Sequence, residues 1–129
     1  MAGEHPNISL MKKLDLRNLD AAEELFAPNF VWHYFNAELP DIHGDYHGLE
    51  GLKSFFDRLG ALSKGTFDVE PVSVAAMGDE LVVVHVRDTM SIDDKAMALD
   101  AVVVWRIVDS RFAEAWDIPA IYTVSNPER

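Results

Sequence analysis

Near its C-terminal end the chain reads AWDIP, Ala115 to Pro119, with a carboxylate between Trp116 and Ile118 at the end of an expected strand. A carboxylic acid pressed against an aromatic wall loses hydration, its pKa rises, and it can exchange a proton near neutral pH. On an outer face the same Asp117 is a solvated charge or a partner for an arginine. Two histidines have comparable surroundings, His85 in LVVVHV and His33 in FVWHYF. Imidazole titrates near neutrality, so either suits a proton shuttle beside Asp117. Either suits equally a buried, hydrogen-bonded structural histidine. Asp100 in ALDAVV reads as solvent-facing near a strand end. His43, Asp45 and His47 in IHGDYHG are metal-ligating types, but they share one loop with no second cluster. A polar loop, with Tyr46 folding over a pocket mouth, is the simpler reading, and no metal or other cofactor is expected.

The elements that must position these groups are legible from spacing. Ser9 caps a first turn carrying Leu10, Met11 and Leu14. Asn18 then opens a helix that turns Leu19, Ala22, Leu25 and Phe26 inward, and Pro28 and Asn29 end it. FVWHYF is a short aromatic strand, and NAELPDIHGDYHG is a loop. The clearest helix is LEGLKSFFDRLG, with Leu52, Phe55, Phe56 and Leu59 on one face and Gly60 as its stop. After Gly65 the pattern is β, with Pro71 marking an edge or bulge. Turns are expected at Met77-Gly78-Asp79, Asp93-Asp94-Lys95 and Asp109-Ser110-Arg111. The fold class is α+β, with helices on one face of a strongly curved sheet. In AVVVWRIV both faces are oily, Val102, Val104 and Val108 on one and Ala101, Val103, Trp105 and Ile107 on the other. One face covers the helices, and a second subunit is the expected cover for the other.

A chain of 129 residues with 49% hydrophobic composition makes one domain, residues 1–129. Its ends, 1–6 and 125–129, are expected to be loose. With no cysteine, disulfides and thiolate chemistry are excluded, which fits a reducing cytoplasm. A net charge of −11 argues against nucleic acid and anionic membranes as partners. No apolar run is long enough to cross a membrane, and MAGEHPNISL lacks the order of a signal peptide. A cytoplasmic protein is expected.

Three stretches together, NLDAAEELFAPNFVWHYF, YHGLEGLKSFFDRLG and VVVWRIVDSRFAEAWDIPA, resemble the SnoaL-like polyketide cyclases over about Leu14 to Tyr122. These belong to the nuclear transport factor-like superfamily, with ketosteroid isomerases and limonene epoxide hydrolases. The resemblance implies a cone-shaped α+β barrel, its mixed or antiparallel sheet wrapped round the N-terminal helices, and usually a dimer. It also implies an apolar pocket for a small hydrophobic molecule, whose wall is drawn from Trp32, Tyr34, Phe56, Val103, Trp105 and Trp116. Laid against the isomerases, the base falls on Tyr34 or His33, the oxyanion tyrosine near Leu10 and the oxyanion aspartate near Val103, so that chemistry is not matched. The hydrolases use an Arg-x-Asp pair and a last-strand Asp. Asp117 matches the latter, but Arg87 and Asp88 are adjacent and face opposite ways, while His85 and Arg87 share a face. The cyclases use one acid/base carboxylate in an apolar pocket, and Asp117 with His85 or His33 is the corresponding set. The resemblance therefore implies a cofactor-free cyclase, isomerase or hydrolase. The alternative is a binding module of the same fold without chemistry.

Overall fold

The structure is a computed structural model and describes residues 4–125. Helix α1, Pro6–Met11, begins with proline, whose fixed φ suits the first turn and whose missing N–H is not needed there. His5 caps it, its Nδ1 accepting the Asn7 amide at 3.1 Å. Ser9, expected as the cap, lies inside the helix and donates to Glu4. Leu19–Leu25 forms a 3-10 helix instead of an α-helix. Leu19, Ala22 and Leu25 recur every third residue, which stacks them on one face at the 3-10 repeat. Asn18 makes no side-chain cap.

Strand β1, Phe26–Tyr34, starts four residues earlier than FVWHYF suggests and runs through Pro28 and Asn29. The register shifts between Phe26 and Val31, so the proline sits exposed in an irregular stretch where no ladder N–H is required. Strand β2, Gly44–His47, lies in the stretch expected to be loop and pairs antiparallel with β1. Helix α2, Gly48–Leu62, buries Leu52, Phe55 and Leu59. It does not stop at Gly60. The chain turns at Ser63, whose Oγ donates to the Leu59 carbonyl at 2.7 Å. Four strands follow: β3, Asp68–Met77; β4, Leu81–Ile92; β5, Lys95–Val108; and β6, Arg111–Pro119. Asp93-Asp94 and Asp109-Ser110 turn with positive φ at both residues, the two-residue hairpin whose twist suits antiparallel strands.

The six strands form one open, mixed sheet in the order β2-β1-β6-β5-β4-β3. Every neighbouring pair is antiparallel except β1 with β6. The helices lie on the inner face, α2 against β1 and β2 and α1 against β3 and β4. Strand alternation assigns Val82, Val84, Val86, Asp88 and Met90 of β4 to that face, with Ala101, Val103, Trp105 and Ile107 of β5. An aromatic core ties the layers. Trp105 lies 5.0 Å from Phe112 and 5.4 Å from Trp32 between ring centroids, and Trp32 lies 5.4 Å from Phe55 on α2. At the ends, Pro6 and Ser125 are tied down, the latter by paired bonds with Ala98. Residues 1–3 and 126–129 of the expected loose ends lie outside the described residues.

Two glycines of α2 make opposite predictions. A Cβ on Gly51 would lie 2.8 Å from the Tyr46 carbonyl carbon, so this glycine sets how closely α2 approaches β2. A Cβ on Gly60 meets nothing within 4 Å. Gly51→Ala should lower stability by about 1–3 kcal/mol through overpacking. Gly60→Ala should raise it by about 0.5–1 kcal/mol through helix propensity. Denaturant midpoints check both.

Candidate active site

Between the helices and the inner face of the sheet lies a cavity of about 970 Å³. Its wall is mainly apolar and includes Trp32, Phe56, Val84, Val103 and Trp105. Two carboxylates, Asp88 and Asp117, also line it. Charged residues of the α1 end and the following loop, Lys12, Asp15 and Arg17, border it with Asp68 at the start of β3. Arg17 and Asp68 form an exposed ion pair at 2.6 Å.

Asp117 sits in mid-sheet on β6, in register with Tyr34 of β1 on one side and Val103 of β5 on the other. It is buried, and its Oδ1 has no hydrogen-bond partner among the described residues. Loss of hydration pushes its pKa well above the ordinary carboxylate value, and the charge of Asp88 pushes the same way. Asp88 comes from β4, where it pairs across to Leu99 of β5 and Val69 of β3. It too is buried, and burial raises its pKa to about 7. Tyr34 is the cross-strand neighbour of Asp117. Burial raises its phenol pKa; the hydrogen bond from Asn36 Nδ2 at 2.9 Å opposes this, and the charges of Asp117 and Asp88 add to it. Tyr34 is therefore a neutral neighbour at physiological pH. The indole Nε1 of Trp32 is the other buried side-chain polar atom without a partner among the described residues.

Of the residues expected at the site, Trp32, Phe56, Val103, Trp105 and Asp117 line the cavity. Tyr34 is core, packed 4.7 Å from Phe55, and is not part of the lining. His33, His85 and Trp116 project from the opposite face, because each is odd-numbered against an even inward register, or the reverse, on its strand. His33 Nδ1 meets Asp45 and Nε2 meets Glu114, both at 2.6 Å, and the ring stacks 5.6 Å from Trp116. Partial burial works against the charged imidazole, but the hydrogen bonds to the two carboxylates outweigh it and raise its pKa. His85 bonds Asp100 at 2.9 Å, and Arg87 lies 3.8 Å from the same carboxylate. Trp116 carries the Arg106 guanidinium 5.3 Å above its ring. Neither histidine is a partner for Asp117. Tyr46, expected over a pocket mouth, is buried 5.3 Å from Phe55. His43 accepts the Asn36 amide, and among the described residues no three His, Asp or Glu side chains gather as metal ligands.

Asp88 is the residue that sequence reasoning missed. The alternation that puts His85 and Arg87 on one face puts Asp88 on the other, with Val82, Val84 and Val86. That valine face is the inward one. The pocket thus offers two acids of unequal environment. Burial brings the Asp88 pKa to about 7 and raises that of Asp117 too, and Trp32 offers an unused N–H. Such a set can remove a proton at one point of a bound molecule and supply one at another.

Known proteins resemble this chain in family and fold. The model of the SnoaL-like domain matches residues 10–115. A search of curated proteins gives no match. Among solved structures, Bal32a from a soil-derived mobile gene cassette superposes with a TM-score of 0.78 at 22% identity, covering 89% of each chain. TerC, co-crystallised with polyporic acid, gives 0.75 at 19% identity over 91% of this chain and 93% of its own. A putative SnoaL-like polyketide cyclase from Jannaschia sp. CCS1 gives 0.73 at 17% identity over 92% and 88%. At these identities the likeness carries the fold, while the family match spans most of the sequence. The chain belongs to the SnoaL-like domain family.

Proposed function

We propose that the cavity binds a small, mostly apolar molecule of polyketide or terpenoid size, and that Asp88 and Asp117 move protons on it without a cofactor. The observation that carries this reading is the burial of two carboxyl groups in one apolar cavity. Purely structural carboxylates are usually paired with a cation or a set of N–H donors; Asp117 Oδ1 has none among the described residues. TerC's crystallisation with polyporic acid supports a ligand of this size. In the simplest step, ionised Asp88 takes a hydrogen from carbon beside a carbonyl. The C–H electron pair becomes a carbon–carbon double bond, and the carbonyl oxygen takes the proton of Asp117. The resulting enol either collapses to an isomer or attacks a second carbonyl to close a ring. The enol O–H proton returns to Asp117 as the carbonyl re-forms. The Asp88 proton goes to the other end of the enol system in the isomer, or to the new alkoxide on ring closure, so both carboxyls regain their starting states.

The outer face of the sheet is proposed to be covered by a second copy of the chain. Val102 and Ile118 are exposed there beside half-buried Trp116. Around them lie His85 with Arg87 and Asp100, and Arg106 with Glu80 and Glu114, so both signs of charge are present for self-complementary pairing.

Three measurements test these readings. Hydrogen–deuterium exchange beside the carbonyl of 1-tetralone, followed by NMR, should be accelerated by the protein, with a rate that rises as pH passes about 7 and Asp88 ionises. Asp88→Asn and Asp117→Asn should each cut the acceleration by about 10²-fold or more; exchange at the unaltered rate in both variants rules out carboxylate catalysis. The second measurement is stability against pH. Both acids hold protons in the folded state that the unfolded chain releases above about pH 4. The folded state therefore binds more protons, and stability falls as pH rises from about 4 through 7. For Asp88 the fall amounts to about 4 kcal/mol at most. Asp88→Asn should flatten it and raise the melting temperature at pH 8; an unchanged pH profile contradicts the assigned burial. Third, sedimentation at micromolar concentration should give a dimer that Val102→Asp converts to monomer, whereas a monomeric parent chain refutes the interface.

A further inference from the structure

Two buried side-chain polar atoms lack partners among the described residues, Trp32 Nε1 and Asp117 Oδ1, and both residues line the cavity. They are neighbours in the sheet. Trp32 of β1 stands opposite Ala115 of β6, and Asp117 follows two residues later on the same face. Such diagonal positions on adjacent strands lie about 7–8 Å apart at the backbone, within joint reach of a large and a small side chain. The indole N–H is donor only, so nothing but an acceptor can satisfy it. The two residues do not satisfy each other. Trp32 is 2% exposed and held by ring contacts with Phe55, Phe56 and Trp105. A donor fixed by such packing is pre-organised, and leaving it unpaired costs about 1–3 kcal/mol.

We propose that Trp32 Nε1 and Asp117 together hold one oxygen of the ligand, and that the ligand class is a neutral, flat molecule whose carbonyl or enol oxygen sits between them. This rests on the cavity being the binding site. In the carbonyl state the oxygen accepts from Trp32 N–H and from the Asp117 carboxyl. In the enol state it still accepts from Trp32 and now donates to Asp117, so one placement serves both sides of the proton transfer. A ligand anion is disfavoured at this position, because it would lose its hydration in an apolar space and meet the charge of Asp88 once that acid ionises. Lys12 and Arg17, the cations bordering the cavity, are already paired with Glu4 and Asp68. Trp32 is thereby assigned a part in recognition of the substrate oxygen, beyond its place in the core.

The test uses three probes of one shape: naphthalene, 2-naphthol and 2-naphthoate, titrated calorimetrically against the full chain. 2-Naphthol is a stable enol. It should bind at least about tenfold more tightly than naphthalene, the worth of one hydrogen bond that replaces a buried orphan, and 2-naphthoate should bind more weakly than 2-naphthol. In Trp32→Phe the naphthalene affinity should persist, which shows the cavity intact, while the preference for 2-naphthol shrinks by about tenfold. An equal preference in Trp32→Phe, or tighter binding of 2-naphthoate, overturns the proposal and leaves the cavity reading standing. Failure of all three probes to bind the unaltered protein overturns both. The tetralone exchange adds a readout that core packing does not move: Trp32→Phe should lower the rate while keeping the Asp88 titration near pH 7.

Discussion

Taking a carboxyl group out of water is the constraint around which this structure is organised. An isolated buried carboxylate is too costly to keep ionised, so Asp117 keeps its proton and the rest of the fold must tolerate a polar group in its middle. The tolerance comes from packing on either side. Phe30, Phe112, Trp105 and Phe55 are buried at 3% exposure or less and bind β1, β5, β6 and α2 into one layer-spanning core. At about 2–3 kcal/mol apiece these aromatics together contribute more than the cost of one unpaired oxygen. The unpaired atoms can therefore persist at the cavity wall without undoing the domain.

The opposite face of the sheet holds the site in register. His33 bridges Asp45 on β2 and Glu114 on β6, and it stands one residue before Tyr34, which is the cross-strand partner of Asp117. The same face continues through Trp116, Arg106 and Glu80 to the β4 end of the sheet. An ionic network thus spans β2, β1, β6 and β5 directly behind the wall that carries Asp117. Because one-residue slippage would exchange the two faces completely, this network and the inner aromatic core specify the same register from opposite sides. The charged face is where the chain can afford ionised groups, and the oily face is where it cannot.

Much of the architecture was readable in the residues. The β-hairpin turns, the amphipathic α2 and the α+β class follow from local signals, and the family resemblance supplied the curved sheet. Boundaries failed where tertiary context overrode those signals. Pro28 did not end an element, because β1 is irregular there. Gly60 did not end α2, because Ser63 and the turn beyond it supply the stop. The short polar strand β2 has almost no period to read. At the site, Asp117 and the tryptophans Trp32 and Trp105 were singled out, but the companion carboxylate was not. Histidines drew attention as proton shuttles, and side-chain type outweighed face. Alternation in LVVVHVRDTM already separates Val82, Val84, Val86 and Asp88 from His85 and Arg87. Only knowledge of which face meets the helices was missing, and that is a tertiary fact.

Chemical difference between the two acids follows from where each strand lies. Asp117 is on β6, flanked by β1 and β5 in mid-sheet with Tyr34 as its cross-strand neighbour, so little of it meets water. Asp88 is on β4, next to the edge strand β3, whose residues are largely exposed and whose start borders the cavity. Burial raises the pKa of both acids, and at Asp117 the charge of Asp88 adds to it. Proximity adds to this separation, since ionising one acid makes ionising the other harder, and the pair releases its first proton from the better-hydrated member. In the proposed reaction the base and the acid come from the same side-chain type. They arise from two identical side chains placed at different depths in one curved sheet.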